Sequence, residues 1–136
     1  MRIIIKNPNG TRELRVKVQY DFTDVKNAYG TDKYGRDVHY AWTEKITTVT
    51  CHEHNQASIP VSMTVFVGRA ICDYRDAKRF KKSTGRRIAW KNCLAEMLDK
   101  GFVTREEAIV LSIVGISGTI AEIDMTGDEI NISRKF

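Results

Sequence analysis

An α+β fold is predicted by three observations. Apolar and polar residues alternate with period two through the first half of the chain, a single stripe at helical spacing surrounds Trp90, and a turn-forming Thr126-Gly127-Asp128 separates two β-rich stretches near the end. The expected architecture is an antiparallel β-sheet of four or more strands, with one or two helices after the fourth strand and a C-terminal β-hairpin. At 136 residues the chain holds one domain, 1–136, with one core.

Taken in order, Arg2–Lys6 and Thr11–Tyr20 flank Asn7-Pro8-Asn9-Gly10, and Asn-Gly is a strong hairpin signal because both residues accept positive φ. Leu14, Val16, Val18 and Tyr20 alternate with Arg15, Lys17 and Gln19, as in a strand with one buried face. Residues 21–36 lose this periodicity and contain Gly30 and Gly35, which predicts a long loop with a turn of helix at Thr23–Tyr29, placed to cover something. Val38–Thr50 and Ser58–Tyr74 read as strands joined by the polar stretch Cys51–Ala57. In the second of these, Val61, Met63, Val65 and Val67 form the apolar set opposite Ser62, Thr64, Phe66 and Gly68.

Ser83 or Thr84 is the expected N-cap of a helix whose stripe, Trp90, Cys93, Leu94, Met97 and Leu98, runs to Asp99 before a stop at Gly101. Thr104-Arg-Glu-Glu107 has the form of a capping box, so Ala108–Val114 is read as a second, short helix despite its β-branched residues. Thr119–Met125 and Glu129–Lys135 complete the C-terminal hairpin.

Residues 69–91 concentrate the charge: nine Lys or Arg against two Asp, a local excess of seven, while the whole chain carries +5. The basicity is local. A helix start attracts anions through its unpaired N–H groups and dipole, and the surrounding cations deepen that potential. Phe80 within the charge run can stack on a base, and Ser83-Thr84-Gly85 supplies hydroxyls and a bare backbone for a phosphate. The ligand-binding candidates are therefore Phe80, Lys81, Lys82, Ser83, Thr84, Gly85 and Arg86. Trp90 is a further ligand-binding candidate, although its place on the stripe one turn later favours core packing.

No Walker loop, nucleophile elbow, His-Glu-x2-His or paired-carboxylate scaffold is present, so no catalytic residue and no cofactor are expected. His52 and His54 share a face of a strand, but the ligand spacings of zinc sites are missing and no metal is expected. Cysteines 51, 72 and 93 include no close pair, which fits a reducing compartment, with Cys72 and Cys93 read as small buried hydrophobes. No run approaches the ~18 apolar residues of a membrane span, and a cytoplasmic protein with no membrane partner is expected. Apolar hairpins at both ends predict a homo-oligomer.

The pattern Ala70-x-Cys72-x3-Asp76-x3-Phe80-x4-Gly85-Arg-Arg-Ile-Ala89-x4-Leu94, following a strand, resembles a segment of small phage proteins, the Thoeris anti-defence sponges of the first described type. The resemblance runs from Arg69 to Thr104, with a looser match through Glu107. It implies a non-enzymatic, phage-encoded protein of the host cytoplasm that sequesters a cyclic nucleotide immune signal, a cyclic ADP-ribose variant or a cyclic oligonucleotide. It also implies a dimer or a larger ring, up to a hexamer. On this resemblance Phe80 stacks on a base, while Lys82, Gly85, Arg86 and Arg105 lie near phosphates or a protomer interface. The hairpin after Gly118 and the β-branched Ala108–Ile116 depart from the family pattern. The alternative is an RNA- or DNA-binding or protein-inhibiting module using the same basic helix start. A pI of about 9.2 that arises from one segment argues for a compact ligand over a nucleic acid.

Overall fold

The computed structural model describes residues 1–54, 64–72 and 79–136, with backbone alone at 23–28 and 40–43. Its strands are β1 (Arg2–Asn7), β2 (Gly10–Thr31), β3 (Asp37–Glu53), β4 (Val65–Cys72), β5 (Ile120–Asp124) and β6 (Asn131–Lys135). Helices α1 (Lys82–Asp99) and α2 (Arg105–Val114) lie between β4 and β5. The α+β class, both helices and both terminal hairpins are present as expected.

The six strands form one sheet in the order β4-β3-β2-β1-β5-β6. All neighbours are antiparallel except β1 and β5, which run parallel with Arg2 beside Ile120 and Ile5 beside Ile123. The sheet is thus mixed, not antiparallel throughout. The cause is the helical crossover, which carries the chain from the β4 side back over one face and delivers it beside β1 in the same direction.

A second correction concerns residues 21–36. Only 32–36 form a turn, and 21–31 are strand: β2 and β3 pair from Leu14 opposite Glu53 out to Thr31 opposite Asp37, with one irregularity between Phe22 and Val25. Among the described residues, β4 flanks β3 only from Lys45 to His52, so the outer part of the ribbon is paired only with itself. It therefore needs no apolar face, and the alternation that signals a strand vanishes. Its tip is tied by Asp32, whose carboxylate accepts N–H bonds from Tyr34 at 2.8 Å and Arg36 at 3.0 Å, with Gly35 at φ +75°.

One face of the sheet carries the core. Ile3, Ile5, Leu14, Val16, Val49 and Ile123 meet Trp90, Cys93, Met97 and Leu111 from the helices. On β4 the buried side chain is Phe66, whereas Val65 and Val67 are exposed, the reverse of the expected set. Gly68 decides the face: a Cβ there would lie 2.0 Å from the Ala89 carbonyl oxygen and 2.4 Å from the Cys93 nitrogen. Only a bare backbone lets α1 rest on this strand. Val61, Met63 and the rest of 55–63 lie outside the described residues. Cys51, expected in a polar connection, is instead fully buried on β3.

The capping box forms as read. Thr104 Oγ1 accepts the Glu107 N–H at 3.1 Å, and Glu107 accepts the Thr104 N–H at 3.0 Å. Arg12 adds to it, donating to both Glu107 oxygens and to the Phe102 carbonyl, and so fastens the start of α2 to β2. Among the described residues, no helix is long and apolar enough to cross a membrane.

Candidate functional site

The first turns of α1 lean on the inner face of β3 and β4, and Gly85 makes this contact possible. A Cβ on Gly85 would fall 2.4 Å from Thr47 Oγ1, so the residue serves helix-to-sheet approach. Thr47 is fully buried and its hydroxyl has no partner among the described residues. A buried unpaired hydroxyl is costly, ~1–3 kcal/mol, and such groups recur where structure yields to function.

Beside Gly85, a cleft of about 340 Å³ opens between the end of β4 and the start of α1. Ala70, Ile71, Phe80 and Ile88 give it apolar walls, Cys72 and Thr84 add a thiol and a hydroxyl, and Arg79 and Lys81 supply cations. Its size is at the small end of ligand pockets, about 300–1,000 Å³.

Phe80 is half-buried and held from two sides: the Phe22 ring meets it edge-on at 6.5 Å between centroids, and the Lys45 ammonium sits 5.1 Å from its centre. Such a ring is pre-positioned, at little further entropic cost on binding.

α1 begins without a helpful cap. Position N-cap is Lys81, in extended conformation with no side-chain hydrogen bond, and no acidic residue occupies the first turn. Ser83 and Thr84, expected as caps, lie inside the first turn and are exposed. Lys81, Lys82, Arg86 and Arg87 crowd the positive end of the dipole, while Glu96 and Asp99 lie towards the negative end, where Lys100 is the C-cap. At the start of the helix this order is the reverse of the stabilising one.

The predicted residues do not converge on one point. Phe80, Lys81, Thr84 and Gly85 share the cleft. Ser83, Arg86 and Trp90 border a second depression of about 390 Å³ on the flank of α1 that faces the end of α2, together with Arg87 and Lys91. Lys82 turns to the Tyr20 ring, 4.8 Å from its centre. Arg105 opens α2 and lines a third groove, between the two helices. Trp90 is a core residue, 2% exposed, its indole N–H donating to the Leu111 carbonyl at 3.0 Å.

Sequence reasoning missed Ile71, Cys72 and Ile88 as cleft walls. Thr84 and Ile88 are one turn apart, a spacing that would have revealed Ile88; nothing local reveals the end of β4. Among the described residues, no group of three or more His, Cys, Asp or Glu side chains comes together to hold a metal ion.

Comparison with family models, curated proteins and solved structures finds no match. The residues themselves carry the functional argument.

Proposed function

We propose that the chain is a binding protein that captures a small phosphorylated ligand at the start of α1 without transforming it. The observation that carries this reading is the charge at the start of α1: Lys82, Arg86 and Arg87 towards the positive dipole end, no acid in the first turn, and Lys81 at the cap without a side-chain hydrogen bond. Each misplaced exposed charge costs tenths of a kcal/mol, and an anion seated among them relieves all of them at once. A fold that needed α1 only for packing would gain by the opposite order.

The cleft extends this to a ligand with two parts. Apolar walls with a fixed aromatic ring suit a flat base or ribose, and Arg79 and Lys81 beside them suit a phosphate. The resemblance of Arg69–Thr104 to the anti-defence sponges makes the specific form of this proposal a cyclic nucleotide signal, held in the cytoplasm by a phage-encoded homo-oligomer. A duplex or long RNA fits less well. The long ribbon, the natural element to embrace a nucleic acid, carries Asp24, Asp32, Asp37 and Glu44 against Lys26, Lys33, Arg36 and Lys45, a balanced set.

The test is calorimetric titration of the purified chain with cyclic ADP-ribose isomers, cyclic dinucleotides and ATP, followed by heat release and mass analysis of the ligand. Micromolar or tighter binding with the ligand recovered intact supports capture. Recovery of an altered nucleotide refutes the non-catalytic reading, and no binding to any of them refutes the nucleotide reading.

A further inference from the structure

The depression of about 390 Å³ on the flank of α1 shares no lining residue with the cleft. Three cations border it, Arg86, Arg87 and Lys91, and so do three hydroxyls, those of Ser83, Ser112 and Ser117. Arg2, Arg12, Arg15 and Arg36 each face a carboxylate, whereas among the described residues Arg86, Arg87 and Lys91 have no ion pair and no side-chain hydrogen bond. Arg87 and Lys91 also stand one turn apart, a like-charge spacing that destabilises a helix. Ser83 takes the place one turn earlier, where an acid would have compensated Arg87.

We propose that this depression binds a diphosphate or a longer phosphate chain and reads no base. Its aromatic residue is spent: Trp90 is 2% exposed and its N–H is committed to the Leu111 carbonyl, so no ring is left for stacking. Three positive charges and three hydroxyls around one concavity match an anion whose charge is spread over linked phosphates, held by charge-assisted hydrogen bonds. An orthophosphate has too few charges and oxygens to engage the whole set.

The carbonyl end of α2 lies at the same depression and would repel an anion, but it is partly closed. The Leu111 carbonyl accepts from Trp90 and from the Gly115 N–H, and the Val114 carbonyl accepts from Arg134 at 2.7 Å. The last turn of α2 holds no basic residue of its own, so the rival role for Arg87 and Lys91 is to neutralise that helix end. The two roles differ in what the loss of a cation does to ligand binding.

The experiment is calorimetric titration of the full chain with inorganic pyrophosphate, tripolyphosphate and orthophosphate, beside thermal melts of each variant. Pyrophosphate or tripolyphosphate should bind one per chain, at least ten-fold more tightly than orthophosphate. Lys91→Glu and, separately, Arg87→Gln should weaken this binding ten-fold or more with the melting temperature held or raised, since both side chains are exposed and each change relieves the like-charge pair. Should Lys91→Glu lose its fold, Arg87→Gln decides. Phe80→Ala should leave pyrophosphate binding unchanged. ADP titrated into Phe80→Ala tells the source: affinity equal to that of pyrophosphate admits the diphosphate of a nucleotide, and weaker affinity restricts the site to free chains. Tighter binding of ADP, which needs base recognition, overturns the proposal. So does the absence of binding by both phosphate chains, or a loss of it in Phe80→Ala that moves the phosphates to the cleft. Binding that survives both charge substitutions overturns it as well, and a lowered melting temperature would then assign the cations to α2.

Discussion

Arg12 and Glu107, 95 residues apart in sequence, meet at 3.1 Å beneath the first turn of α2. The carboxylate also caps that helix, so one buried side chain joins β2 to α2 and closes the α2 start. Glu107→Ala should lower stability by about 1–3 kcal/mol, because it removes the box and one of the two carboxylates that pair with Arg12, the other being Glu53 at 3.0 Å. Glu107→Gln keeps the acceptor for Thr104 and should cost clearly less. Denaturant unfolding of the two variants is the check, and equal losses would remove the ion pair from the account.

Gly68 and Gly85 set the height of α1 above the sheet. A methyl at Gly68 collides with helix backbone, whereas at Gly85 it meets the Thr47 hydroxyl, a side chain with some freedom to move. Gly68→Ala should therefore cost more than Gly85→Ala, about 1–3 kcal/mol or above for the first. Thermal melts of the pair read this directly. A Gly68→Ala protein as stable as the native one would mean that α1 can shift without penalty.

What the sequence discloses depends on whether a strand has one dry face. Leu14, Val16 and Val18 announced β2 because alternate residues are buried, and the turn residues between Asn7 and Gly10 announced the hairpin, whose connection is Pro8-Asn9. The ribbon beyond Phe22 did not, since among the described residues no third strand flanks it, and backbone pairing by itself leaves no residue pattern. On β4 the pattern was legible but its facing was not. Val65 and Val67 outrank Gly68 in apolarity, yet the face is chosen by where α1 needs bare backbone. The site was half legible for the same reason. Phe80, Lys81 and Thr84 are local to the helix start, whereas Ile71 and Cys72 arrive through tertiary pairing.

The cysteines differ sharply in expected reactivity. Burial pushes the Cys51 and Cys93 thiols up to about 12, so both stay protonated at neutral pH. Cys72 is half-buried on the cleft wall. A thiol reagent applied to the native chain at pH 7 to 8 should label Cys72 first, with Cys51 and Cys93 reacting only after unfolding. Peptide mapping of the labelled sites is the measurement, and early labelling of Cys93 would contradict the packing of α1 on Phe66. Nucleotide bound in the cleft should slow Cys72 labelling.

Glu13 ties stability to pH. A hydrogen bond from Arg2 at 2.5 Å holds its carboxyl below the ordinary glutamate range. A group whose folded pKa is depressed stabilises the fold above its unfolded pKa and loses that contribution as pH falls through the folded value. Native stability should fall on acidification through and below the usual glutamate range, and Glu13→Gln should flatten that part of the profile. Melting temperatures from pH 6 to pH 2 compare the two. Parallel profiles would show that Glu13 titrates alike in both states.

Phe80 and Arg86 border different depressions, which separates their roles in binding. A compact ligand seated in the cleft loses stacking when Phe80→Ala is made, an effect of about 1–3 kcal/mol on affinity. Arg86→Ala should then leave affinity within a few tenths of a kcal/mol, and the double variant should behave as Phe80→Ala alone. A ligand long enough to bridge both depressions gives the other result, with two substantial and additive losses. Trp90→Ala is the control: its indole fills the core, so it should lower stability by about 3–5 kcal/mol whatever the ligand does. Titration and thermal melting of all four variants distinguish these cases. Normal binding by Phe80→Ala, with a melting temperature as low as that of Trp90→Ala, would make Phe80 a packing residue and remove the cleft from the binding site.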